Sequence, residues 1–103
     1  MRLRIDGQDR DLKLTLGALA ELEAGLHAGT LVELIERFET GRFGAREVVA
    51  ILIAGLRGGG WRGNAEEIAR ADIDGGPIEA ARVAALLLAR AFSLPQGEAG
   101  GGS

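Results

Sequence analysis

Leu3-Arg4-Ile5-Asp6-Gly7-Gln8-Asp9-Arg10-Asp11-Leu12-Lys13-Leu14-Thr15-Leu16-Gly17-Ala18-Leu19-Ala20-Glu21-Leu22 is the stretch whose reading decides the fold. Its first part alternates. Leu3 and Ile5 are apolar with Arg2 and Arg4 between them, and Leu12, Leu14 and Leu16 are apolar with Lys13 and Thr15 between them. A period of two marks half-buried strands. Asp6-Gly7 is a turn signal, because both residues tolerate positive φ. The pattern predicts a β-hairpin over residues 2–15, with strands at 2–6 and 10–15. From Leu16 the period changes. Leu16, Leu19, Ala20, Leu22 and Leu26 follow helical spacing, with Thr15 as N-cap and Gly25 or Gly29 as the stop.

Outward from this switch the chain reads as helices separated by caps. Thr30-Leu31-Val32-Glu33 is a capping box opening a second helix, with Leu31, Leu34, Ile35 and Phe38 on one face. Thr40-Gly41-Arg42 breaks it. Phe43 to Glu47 leads into a third helix, apolar nearly all round from Val48 to Leu56, as expected of a central element. Gly55 within it predicts a close helix contact, and Arg57-Gly58-Gly59-Gly60 ends it. Asn64-Ala65-Glu66-Glu67 opens a short fourth helix anchored by Ile68. Asp72 to Gly76 is a loop, and Pro77 is the first position of a last helix running to about Phe92. The expected stripe of that helix is Ile78, Ala81, Ala85, Leu88 and Phe92, widened by Val83, Leu86 and Leu87. The fold class is therefore mainly α with a small N-terminal β-hairpin, a compact bundle of about five short helices. One domain is expected over 2–93, with a disordered Gly-rich tail at 94–103.

Composition narrows the function. The chain has 103 residues, 47% hydrophobic and 4% aromatic, so its core must be built from Leu, Ile, Val and Ala. It has no cysteine, which removes disulfides, thiolate metal sites and a cysteine nucleophile. No apolar run resembles a signal peptide or a membrane span. A net charge of −3 argues against nucleic acid as the main partner. These features are compatible with a reducing cytoplasm, and no cofactor, metal or membrane is expected.

The candidate chemical motifs are weak. Gly58-Gly59-Gly60-Trp61-Arg62-Gly63 matches G-x-G-x-x-G in letters only. A helix precedes it where the dinucleotide fingerprint needs a strand, and no Lys-Ser or Lys-Thr follows. The segment reads as an interhelix loop or as a loop that touches a partner. Trp61 either folds back on the core or serves as an exposed binding anchor. His27, the only histidine, has neither a metal-ligand spacing nor a serine placed for a triad, and reads as a polar helix end. Asp72 and Asp74 lack the remaining ligands of a calcium loop. Arg2, Arg4 and Arg10 read as a solvated basic face, and the hairpin offers two strand edges for pairing. No nucleophile–base pair assembles, so an enzyme is not expected. The apolar stripes exceed what one small core needs, and Val49, Ile53, Val83 and Leu87, with Trp61, are the candidate partner contacts.

Four segments in order carry a resemblance. They are Leu14 to Glu23 directly after a hairpin, Phe43 to Val48, Ile53 to Gly60 ending the central helix, and Ile73-Asp74-Gly75-Gly76 before the last helix. Together they resemble the gene-transfer-agent family of small phage-type tail proteins, over about residues 3–92. The resemblance implies a tail assembly chaperone in the cytoplasm of a bacterium carrying a prophage or gene transfer agent. Its implied partners are the tape measure protein and the tail tube protein, with self-association as a further expectation. No catalytic, cofactor or metal residue carries over. A structural tail or virion subunit is the alternative, and a small DNA-binding regulator ranks below it.

Overall fold

The structure, a computed structural model, describes residues 1–25 and 30–92. Strands β1 (Arg2–Ile5) and β2 (Gln8–Asp11) are followed by helices α1 (Leu16–Ala24), α2 (Leu31–Glu39), α3 (Ala45–Gly58), α4 (Ala65–Arg70) and α5 (Gly76–Phe92). The expected class, a hairpin followed by five helices, is the class observed. The expected terminal tail, Gly29 and His27 lie outside the described residues.

The hairpin is tighter than its alternation suggests. Asp6 (φ 52°) and Gly7 (φ 78°) form a two-residue turn, the geometry that matches the twist of the flanking strands. Gln8 therefore pairs directly with Ile5, and the ladder reaches Arg2 at Asp11. The second strand is thus Gln8–Asp11, not 10–15. Leu12 donates its N–H to the Met1 carbonyl (2.7 Å), but Lys13 donates to the Gly55 carbonyl of α3 (2.8 Å). The alternating leucines stay extended after leaving β1 because the end of a helix takes over their hydrogen bonding. Leu12 is buried at 3% exposure, whereas Leu16, counted in the alternation, is 84% exposed.

The inner face of β1 carries Leu3 and Ile5 into the core. Its outer face carries ion pairs from Arg2 to Asp11 (3.1 Å) and Arg4 to Asp9 (3.5 Å), and Arg10 donates to Gln8 Oε1 (2.7 Å). The three arginines are thus partnered rather than a bare basic patch. One strand edge is also closed. Ile73 bridges to Ile5, Asp6 N–H donates to the Asp72 carbonyl (2.8 Å), and Asp74 N–H donates to the Arg4 carbonyl (3.1 Å). Both edges expected to be open are thus at least partly covered, that of β1 by residues 72–74 and that of β2, at Asp11, by the end of α3.

The helices start and stop where local chemistry dictates. Thr15 Oγ1 accepts from Ala18 N–H (3.1 Å). Thr30 and Glu33 exchange bonds of 3.3 and 3.2 Å, and Asn64 and Glu67 exchange bonds of 3.0 and 2.9 Å. Both are capping boxes that satisfy otherwise orphaned amides. At α3 the box is half made: Glu47 Oε1 accepts from Gly44 N–H (2.7 Å), and glycine has no side chain to reciprocate. The other oxygen of Glu47 binds Arg37 of α2 (2.8 Å). Phe38 stacks on Phe43, with centroids 4.3 Å apart and planes at 4°. Together with buried Leu34, these contacts tether α2 to the start of α3.

The end of α3 is ordered, and its glycines have a packing role. Gly60 N–H donates to the Arg57 carbonyl (3.0 Å) and Trp61 N–H to the Leu56 carbonyl (2.9 Å). With Gly60 at φ 103°, this is a Schellman cap, which needs a left-handed residue. Gly58 and Gly59 are required for a different reason. A Cβ on Gly58 would overlap the Lys13 carbonyl oxygen, and one on Gly59 the Asp11 carbonyl oxygen. Gly55 is the expected close contact: its Cβ would meet Leu87 Cδ1 at 2.9 Å and Leu12 at 3.3 Å. Helix α3 is thus central, in contact with α1, α4, α5 and β2. Ile51, Leu52 and Leu56, with Val83 of α5, are the most deeply buried large side chains.

Two substitutions test this account by chemical denaturation. Gly58→Ala is expected to cost about 2 kcal/mol, because backbone must move to admit a methyl group. Gly17→Ala, whose new Cβ would meet nothing closer than Thr15 Oγ1 at 3.9 Å, is expected to gain about 0.5 kcal/mol from helix propensity. Glu47 provides a third test. The Gly44 N–H, foremost, holds its pKa below the ordinary 4.5; its own N–H and Arg37 add to this and partial burial opposes it. A carboxyl with a depressed pKa stabilises the fold above its unfolded pKa and loses that contribution as pH falls through the folded one. Glu47→Gln is expected to lower stability at neutral pH by about 1 kcal/mol, and the gap from wild type to close below pH 4.5.

Candidate protein-binding surfaces

Helix α3 is apolar nearly all round, yet its neighbours cover only part of it. Val48, Ile51, Leu52 and Ala54 to Leu56 are buried, while Val49, Ala50 and Ile53 are half-exposed. At about 100° per residue these three lie on one side of the helix, roughly 120–160° around from Gly55. They form the floor of an apolar trough. Helix α4 supplies one wall through Ala65, Glu66 and Ala69, in a cavity of about 500 Å³. Helix α1 supplies the other through Glu21, Leu22 and Gly25, which meet Ala50, Ile53 and Arg57. A smaller cavity of about 300 Å³ extends the trough past Val49 towards Pro77 and Ala80 at the start of α5. Arg57 bridges to Glu21 at the rim (3.7 Å).

The structure divides the expected partner contacts. Val49 and Ile53 line the trough. Val83 and Leu87 are buried, 1% and 4% exposed, and Leu87 lies against Gly55. Their assignment as surplus apolar residues is corrected. The buried face of α5 is Ala80, Val83, Ala84, Leu87 and Leu88, spaced i, i+3, i+4, i+7 and i+8, so Val83 and Leu87 both belong to it. Of the expected stripe, Leu88 is buried and Ala81 half-buried, while Ile78, Ala85 and Phe92 point outward. Ile78 is 84% exposed, Leu86 37% and Phe92 39%, and Ala85 and Ala89 are exposed beside them. The signal that distinguishes the two faces is the charge pattern: Glu79, Arg82 and Arg90 leave the first stripe uninterrupted, whereas Arg82 falls within the second.

Trp61 folds back. Its indole ring occupies the space above Gly63 and packs against the core cluster, half-buried. It does not line the trough. The glycine-rich segment around it is a helix cap and not a phosphate cradle.

The described residues bury no polar or charged side chain. Among them, no three His, Cys, Asp or Glu side chains are grouped to hold a metal ion, and no helix is long and apolar enough to cross a membrane. The distinctive surface among the described residues is the apolar trough, and the class of fold is a small helical bundle with an appended hairpin. The family follows from comparison: the phage tail tube protein family, GTA-gp10, has a model that matches residues 1–94, and the chain belongs to it. The resemblance to gene transfer agent and phage tail proteins is thereby established over nearly the whole chain. No curated protein and no solved structure matches.

Trp61, the only tryptophan, reports on its own loop. Gly63→Val should displace the indole and shift its fluorescence emission to longer wavelength, with the far-ultraviolet circular dichroism unchanged. An unshifted emission would show that the ring does not rest on Gly63.

Proposed function

We propose that the protein is a component of a phage-type tail that works by protein–protein contact, with the α1–α3–α4 trough as its binding surface. The observation that carries this reading is an apolar channel along the central helix of a chain belonging to a tail tube family. Such a channel fits the apolar face of a helix, and helix-in-groove docking needs only a floor of small and branched residues and a polar rim. The family description favours a structural role in the tail, where the chain remains in the finished particle and contacts other tail components or further copies of itself.

A second reading is supported by the fold. The described residues contain a single two-stranded sheet, and a tube wall of stacked rings ordinarily draws on a larger one. A small helical protein with an open trough also suits a transient assembly factor. In that role it would cover the apolar stripe of the tape measure protein in the bacterial cytoplasm and pass it to tube subunits, with many weak contacts along one rod adding up.

Quantitative mass spectrometry of purified particles separates the two. The structural reading expects the chain in fixed stoichiometry with other tail proteins. Absence from particles, together with capture of the tape measure protein in cells co-expressing the tail genes, selects the assembly factor. Ala69→Glu, which places a charge on the trough wall, is expected to reduce recovery of tail proteins at least tenfold in either case, about 1.4 kcal/mol.

A further inference from the structure

We infer that the outer face of α5 pairs with the same face of a second copy, antiparallel, in a closed two-fold dimer. This goes beyond the reading of the trough, since the contact uses none of the residues of α1, α3 and α4 that line it.

The apolar side chains of this face are arranged symmetrically along the helix. Ile78, Ala85 and Phe92 are seven residues apart, so each lies only about 20° round the helix from the next. The two large residues stand at the ends and the small one in the middle, and all three are exposed. Leu86 lies beside Ala85, and Ala89 follows one turn on, also exposed. An antiparallel copy centred on Ala85 sets Ile78 against Phe92 of the second copy, and Phe92 against its Ile78. Ala85 then faces its own counterpart, where a methyl group lets two helix axes approach to about 8 Å. The two Leu86 side chains meet beside it. The three large apolar residues exposed on α5 (Ile78, Leu86 and Phe92) are thereby covered together.

Charge selects the same occupant and the same direction. At 100° per residue Glu79 and Arg90 lie on one flank of this face, about 120° and 140° round from Ala85. Glu79 stands six residues before Ala85 and Arg90 five after it. In an antiparallel copy like flanks adjoin, so Arg90 of the second copy comes level with Glu79, within about 2 Å along the axis at 1.5 Å per residue. A parallel copy would put the two flanks on opposite sides and bring no acid to Arg90. Among the described residues no acidic side chain lies within 4.0 Å of Arg90. Glu79 already accepts from Arg82 Nε (2.8 Å), and a carboxylate has lone pairs for a further donor. That bond also holds the guanidinium of Arg82, the other charged residue of this face, against its own helix. A contact in which one patch meets itself closes at two copies. The face is about 21 Å long at 1.5 Å per residue, which places the interface in the weak class below about 1,200 Å².

Sedimentation velocity and light scattering on the full chain, over a concentration series, should show monomer and dimer and no larger species. Ala85→Glu sets two like charges across the two-fold axis and should weaken the dimer more than about tenfold. The position is exposed, so the circular dichroism should match wild type. Arg90→Glu should weaken the dimer at low salt, with the difference fading at high salt. The chain has no cysteine, so cross-linking reads the direction. In a thiol–disulfide redox buffer, a mixture of Ile78→Cys and Phe92→Cys should form the mixed 78–92 disulfide far more readily than either variant links to itself. Self-linking that exceeds mixed linking means a parallel pair and overturns the inference. So does a wild type that stays monomeric at every concentration or assembles beyond two copies, or an Ala85→Glu variant that dimerises like wild type.

Discussion

The backbone of Asp11 to Lys13 crosses the C-terminal end of α3 so closely that only glycine fits beneath it. Gly55 gives its carbonyl to Lys13 N–H and its missing side chain to Leu12 and Leu87, while Gly58 and Gly59 leave room for the Lys13 and Asp11 carbonyls. This crossing joins the hairpin to the bundle. A two-stranded hairpin is marginal in water by itself. Here β1 is also flanked on its other edge by residues 72–74, so the N-terminal segment is held from both sides by parts of the chain far along the sequence.

The rest of the fold follows from α3 being central. Its buried face takes the hairpin and α5, and α1 and α4 pack along its flanks. Among the described residues the other four helices and the hairpin do not enclose the fourteen-residue α3 completely, and the uncovered remainder is the trough. The same geometry leaves the outer side of α5 apolar and open. Both surfaces are consequences of a small domain in which apolar stripes exceed the available cover. Among the described residues the buried interior holds no charged or polar side chain. Ionic contacts such as Arg2–Asp11 and Arg57–Glu21 lie at the surface, where each contributes little and serves mainly to orient neighbouring elements.

Local chemistry was legible in the residues alone. Period-two and helical spacing, Asp6-Gly7, and the Thr30–Glu33 and Asn64–Glu67 boxes act between neighbours in the chain, so they announce the hairpin and the helix starts without reference to the rest of the molecule. That α3 has too little polar face was legible as well, and Val49 and Ile53 are half-exposed on it. What tertiary structure decided was which apolar side of each helix meets a neighbour. On α5 two stripes of similar hydrophobicity compete, and the one through Val83 and Leu87 is buried because Gly55 lets Leu87 approach α3 there. The second strand ends at Asp11, although the leucines keep alternating, because the Gly55 carbonyl takes the Lys13 N–H that a strand partner would otherwise have taken. The glycines after Arg57 read as a break in the helix, and only the chain lying across them shows that they are a contact. Burial and close approach depend on residues forty and seventy positions away, and no local pattern encodes them.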